Sequence, residues 1–127
     1  MSDDRQTNII EIARRNNAFR QVIETGEREQ VVVMAIAAGD EIGAEVHGDT
    51  DQVLIVIAGT GEAIVDGQSR AVGEGDLVFV RAGRDHNLVN RGSTPLRLIT
   101  IYAPPEHAPG TVHQTRADAE AAEHHQA

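Results

Sequence analysis

The stretch GDEIGAEVHGDTDQVLIVIAG, residues 39–59, decides how this chain is read. Glu45 and His47 are separated by one residue, so an extended strand sends both side chains to the same face. A four-residue connection, residues 48–51, leads into Gln52 and the apolar run Val53–Ala58. Gln52 then stands opposite the Glu45–His47 pair, while Asp51 points away as a solvated or loop-capping residue. A second stretch, GDLVFVRAGRDHNLVN (residues 75–90), brings in His86 just after the Gly83-Arg84-Asp85 turn. A strand returning from that turn faces the other three. Two imidazoles, one carboxylate and one amide oxygen suit one divalent ion, Mn, Fe or Zn first and Ni or Co next. A thiolate zinc knot is excluded, because the chain has no cysteine.

Around these stretches the sequence is β in character from Phe19 to Pro104, with short Val- and Ile-rich segments between glycine-bearing breaks. Strands are expected near 19–25, 28–38, 44–47, 52–58, 62–66, 68–72, 77–81, 86–90 and 96–103. Gly59-Thr60-Gly61 and Asp66-Gly67 are expected as tight hairpin turns. Val31–Ile36 and Val53–Ala58 are apolar on both faces, which implies cover on both sides. A second subunit would supply it, making a homodimer; helical tails are the alternative. Residues 8–17 are expected to form a short helix with Ile9, Ile12 and Ala13 on one face, or else to begin a strand. Pro104-Pro105 ends the last strand, and Thr115–Asp118 has the pattern of a capping box opening a helix to about Glu123.

Composition narrows the function. At 127 residues the chain suits one domain, and its net charge of −9 disfavours nucleic acid. No apolar run is long enough to span a membrane and the acidic start shows no leader, so a cytoplasmic location is expected. Three aromatics, Phe19, Phe79 and Tyr102, are few for stacking sugars or bases. Phe79 is expected in the core, Tyr102 in the core or at its rim, and Arg81 and Arg84 on the surface.

Residues 39–59 resemble the first cupin motif: a glycine, an H-x-H pair, a glutamate a few residues on, and a glycine seven further. Residues 75–90 resemble the second, through Gly75, Gly83, His86 and Asn90. The segment Pro104-Pro105-Glu106-His107…Gly110-Thr111-Val112-His113 is similar to one found in small cupins labelled mannose-6-phosphate-isomerase-like. The resemblance implies an all-β double-stranded β-helix (jelly-roll) barrel with short N- and C-terminal helical segments. One cupin domain would span residues 1–127, with a barrel core about 19–104 and a C-terminal extension 105–127. It also implies a metal held by Glu45, His47, Gln52 and His86. Three positions depart from the motifs: Glu45 replaces the first histidine, Gln52 the glutamate and Arg81 a proline. The first two nearly exchange, so the ligand charge stays at −1.

The function expected is a metal-binding cupin acting as a metalloenzyme, of isomerase or dioxygenase type, on a small polar, oxygen-rich molecule. Glu45 is the candidate base. The alternative is a non-enzymatic small-molecule or metal-binding module, and for the four polar residues a metal-free, self-hydrogen-bonded interior. Gln52 is either a ligand or a partner of metal-bound water. His107 and His113 either fold over the barrel mouth or, as expected, lie on a surface segment against the partner subunit. His124 and His125 are expected to be an unstructured tail.

Overall fold

The structure, a computed structural model, describes residues 5–125 and the side chains of residues 5–123. The first four residues, part of the acidic start read in the sequence, lie outside it, as do the side chains of His124 and His125. No helix among the described residues is long and apolar enough to cross a membrane.

Among the described residues, ten strands form two antiparallel sheets. In chain order they are β1 (Arg20–Thr25), β2 (Gln30–Ile36), β3 (Glu45–Val46), β4 (Asp51–Ala58), β5 (Thr60–Val65), β6 (Gln68–Gly73), β7 (Leu77–Val80), β8 (Asp85–Val89), β9 (Leu96–Ala103) and β10 (Val112–His113). The larger sheet runs β10-β1-β2-β9-β4-β7 and the smaller β3-β8-β5-β6. This is the expected double-stranded β-helix. Helices α1 (Ile9–Arg15) and α2 (Arg116–His125) flank it.

The inner faces of β2, β4 and β9 contribute Val32, Met34, Ile36, Leu54, Val56, Leu96, Leu98 and Tyr102 to one core cluster. Each such aliphatic side chain contributes about 1.5–3 kcal/mol when fully buried. Their outer faces hold Val33, Ile57 and Ile99, which pack against Ala13 of α1. The chain's own helix thus covers part of the outer face of the doubly apolar strands, while Val31, Val53 and Ile55 stay half-buried. Within the expected segment 8–17, Ile9–Arg15 is helical because Asn8 caps the amide of Glu11 (3.0 Å) and Ala13 finds an apolar sheet to cover.

Several expectations change in detail. Gly59-Thr60-Gly61 is not a hairpin: β4 and β5 lie in different sheets, and Gly59 (φ +92°) turns the corner between them. Asp66-Gly67 does form the β5–β6 hairpin, both residues taking positive φ. Phe79 is not core but 52% exposed. β7 is an edge strand, and its register, Phe79 opposite Val53, puts Phe79 on the outer face while Val80 points inward. An all-apolar Leu-Val-Phe-Val run cannot reveal which parity faces the core. β10 was not expected at all; it pairs with β1 and carries the segment after Pro105 back onto the barrel.

Candidate metal centre

In the smaller sheet Glu45 lies directly opposite His86 on the neighbouring strand. His47 follows β3 on the same face, and Val46 between them is exposed, as the two-residue period requires. One potential ligand atom from each of Glu45, His47 and His86 lies within 4.8 Å of the others. The His47 and His86 ring centroids are 5.3 Å apart. From the larger sheet Gln52, fully buried, brings its Oε1 to 2.8 Å from His86 Nε2. Asp51, on the other parity, is exposed and accepts the amide hydrogen of Ala82 at 2.8 Å, the loop-capping role expected of it.

Hydrogen bonds fix which nitrogen each ring offers. His47 Nδ1 is 3.0 Å from Glu106 Oε1, so the ring proton sits on Nδ1 and Nε2 turns a lone pair to the interior. His86 Nδ1 is 3.1 Å from the Arg84 carbonyl. A neutral imidazole has one N–H, so His86 cannot donate to both that carbonyl and Gln52 Oε1. A cation at Nε2 removes the conflict, since neighbouring donor atoms around a metal with bonds near 2.1 Å sit about 3 Å apart. His47 Nε2 and Glu45 Oε1 are buried with no hydrogen-bond partner. Orphaned buried polar atoms are costly unless something fills the site, and a divalent cation matches this donor set. Burial raises the Glu45 pKa above the usual carboxylate range, although His47 and Arg20 pull the other way.

Sequence reading missed the supports of this cluster. Gln30, fully buried, accepts the amide hydrogens of Glu106 (3.2 Å) and His107 (3.0 Å) and donates to the His107 carbonyl (2.7 Å). That clamp presents Glu106 to His47 and stacks His107 edge-on to Tyr102, centroids 5.1 Å apart. Tyr102 in turn lies 5.8 Å from the His47 ring and is core, its hydroxyl held far from ionisation by burial. His107 and His113 therefore fold back onto their own barrel, contrary to the expectation of a surface segment. His113 Nδ1 approaches Arg20 Nη1 at 3.4 Å. Arg20 is itself 2% exposed, an interior cation with no counterpart in the sequence reading. The parity of β1, with Arg20 and Val22 both inward, was the available signal. Arg81 and Arg84 are on the surface as expected, Arg84 paired with Asp66 at 2.6 Å.

Burial, then Arg20, hold the His107 pKa down from 6.5 to about 3. The unfolded chain takes up a proton below pH 6.5 that the folded chain refuses, so stability is full above that value and is lost as pH falls toward 3. His107→Gln should reduce the acid-side slope of unfolding free energy by up to about 1.4 kcal/mol per pH unit. Denaturant titrations between about pH 6 and 4 check this; coincident slopes mean His107 is protonated inside the fold.

Comparison with known proteins agrees with the geometry. The family described as "Cupin domain" matches residues 32–102. This chain belongs to the cupin family. The crystal structure of BH2720 from Bacillus halodurans matches with a TM-score of 0.90 and 39% identity, over 91% of this chain and 92% of that one. The protein YrkC of Bacillus subtilis (strain 168) is 43% identical over 123 residues, 91% of this chain and 66% of YrkC. The chain thus spans just under two thirds of that relative. A mannose-1-phosphate guanylyltransferase of Escherichia coli (strain K12) is 30% identical over 79 residues, 62% of this chain but 16% of the enzyme.

Proposed function

We propose that this chain is a single cupin domain that holds one divalent metal, Mn, Fe or Zn, on Glu45, His47 and His86 with Gln52 as fourth donor. It acts as a metalloenzyme of isomerase or dioxygenase type on a small, oxygen-rich molecule. The observation that carries this reading is the convergence of three ligand residues on one point with Glu45 Oε1 and His47 Nε2 left without a hydrogen-bond partner.

A bound cation supplies Lewis-acid polarisation of a ligand's carbonyl, hydroxyl or carboxylate oxygen. The chain's own residues do the rest. Glu106, steadied by the Thr50 hydroxyl (3.2 Å), accepts the His47 Nδ1–H hydrogen bond and orients the ring so that Nε2 faces the cluster. Thr100 Oγ1 accepts from the Gln52 amide at 2.9 Å and so aims Oε1 at the cluster. Tyr102, Leu88 and Val80 exclude water behind it. Glu45, whose pKa burial raises, is the candidate base.

The likeness to a mannose-1-phosphate guanylyltransferase, and the isomerase-like label of the resembling cupins, put sugar phosphates on the first screening panel. Metal analysis of the purified chain tests the reading, followed by Mn, Fe and Zn titrations, oxygen-uptake assays and sugar-phosphate isomerase assays. One metal per chain is expected. Glu106→Gln should weaken binding 10–100-fold at unchanged stoichiometry. A wild-type chain that takes up none of the three overturns the metal; ligand-dependent thermal shifts without turnover make the protein a binding module.

A further inference from the structure

The barrel has two seams where its sheets part. Between β1 and β3 the seam is closed by α2, whose Ala119 is 3% exposed in the core cluster. Between β6 and β7, the outermost strands on the other side, nothing among the described residues closes it. A cleft of about 600 Å³ opens there, with Ala63, Val65, Val72 and Val78 among its walls. Val65 and Val78 pack against the core yet stay half-buried. β7 has one neighbour in its sheet, β4, and its outward residues Leu77 and Phe79 are 58% and 52% exposed. The Asp76 carbonyl accepts the amide hydrogen of Val56. Antiparallel alternation therefore turns the backbone groups of Val78 and Val80 toward β4 and those of Leu77 and Phe79 to the free edge. Natural edges are guarded by proline, lysine or a bulge, and Leu77–Val80 carries none of these.

We propose that a second copy of this chain docks on this edge, β7 against β7 in antiparallel register about a twofold axis through Val78, joining the two larger sheets into one. That register sets Leu77 of each copy opposite Phe79 of the other, so the free backbone groups are the ones that meet, each pair exchanging both its N–H···O=C bonds. A slip of one residue would set outward side chains against inward ones. An aliphatic side chain opposite an aromatic one is a favourable cross-strand pair. Charge fits the same register. Arg81, which lies over its own Phe79 ring at 5.7 Å, comes opposite the partner's Gly75, between the acidic residues of the turn before β7. Asp76 is already engaged by the Gly73 amide hydrogen at 2.8 Å, which leaves the partner's Glu74 to meet Arg81. The apolar pair and the charged pair are both self-complementary, the property an isologous contact between identical chains requires. On the axis, Val78 of each copy covers that of the other, where the core lies half open. A four-residue edge buries little area, so the dimer is a weak one, in the micromolar range.

Sedimentation velocity of the full chain at rising concentration should show monomer and dimer in exchange; a chain that stays monomeric up to about 1 mM overturns the proposal. Phe79→Asp should raise the dimer Kd at least about thirtyfold. Arg81→Glu should raise it about tenfold, and adding Glu74→Lys to Arg81→Glu should restore it, because both ends of the charged pair are then reversed. A dimer indifferent to Phe79→Asp is held elsewhere, for example across the outer faces around Val53 and Ile55, and overturns the edge; absence of rescue by Glu74→Lys overturns the register. Val78→Cys reads the axis directly and serves should Phe79→Asp not fold. The sequence has no other cysteine, and non-hydrogen-bonded partners across two strands stand within disulfide reach, so mild oxidation should give a covalent dimer. Val112→Cys, exposed on the opposite edge strand of the same sheet, should give none. Cross-linking through Val112 instead of Val78 overturns the proposal. No arm uses a metal, so failure here leaves the metal reading as it stands.

Discussion

Replacing His86 with alanine is expected to abolish stoichiometric metal binding, with affinity falling by three orders of magnitude or more. His86 is the ligand candidate with the fewest degrees of freedom: buried, opposite Glu45 in register, its Nδ1 held by the Arg84 carbonyl and its Nε2 beside Gln52. Removing it also strips one of its two buried acceptors, the Arg84 carbonyl or Gln52 Oε1, of a donor, so the metal-free protein should lose a further 1–3 kcal/mol, roughly the cost of an unsatisfied buried acceptor. Glu45→Gln separates the two effects. It removes the carboxylate charge the metal needs, yet it relieves the burial of an anion, so the metal-free variant should be as stable as wild type or more so. Calorimetric titration and denaturant melts of both variants check this pair. Metal affinity in His86→Ala within tenfold of wild type would remove His86 from the ligand set.

The largest effect on stability is expected at Gly59. Its φ of +92° is unfavourable for any residue with a side chain, and a Cβ there would lie 2.8 Å from the Pro95 carbonyl oxygen and 3.1 Å from Leu96 Cα. Both obstacles are backbone, so nothing swings aside. Gly59→Ala should cost about 3 kcal/mol or more and lower the melting temperature by about 10 °C. Gly39→Ala is the control: φ is +77° with no atom within 4 Å, so only the conformational strain of about 1 kcal/mol remains. Equal losses in the two variants would mean that the corner yields. The reason for the glycine seven residues after Gln52 is therefore a chain crossing between two sheets.

The barrel was legible because its signals are local. Two-residue periodicity placed Glu45 and His47 on one face, and turn chemistry found Asp66-Gly67. Where every residue of a strand is apolar, as in Leu77–Val80, parity is silent, and Phe79 was assigned to the wrong side. The doubly apolar β2 and β4 correctly demanded a second cover, but a pattern on a strand cannot say whether a neighbour chain or α1 provides it. Glu106 and the choice between the two readings of His107 escaped for another reason. Their positions depend on the Gln30 clamp and on β10 pairing with β1, contacts between residues some 76 to 93 positions apart that no window along the chain contains.

That clamp has an evolutionary consequence. The donor atoms of the cluster all come from the matched region 32–102, whereas Arg20, Glu106 and His107 all lie outside it. Two chains can therefore share both motifs letter for letter and still differ in how the His47 ring is held and in which charged groups stand beside the cluster. The motif strands are an inherited chassis, and the terminal segments are where diversification can retune the chemistry without disturbing the barrel.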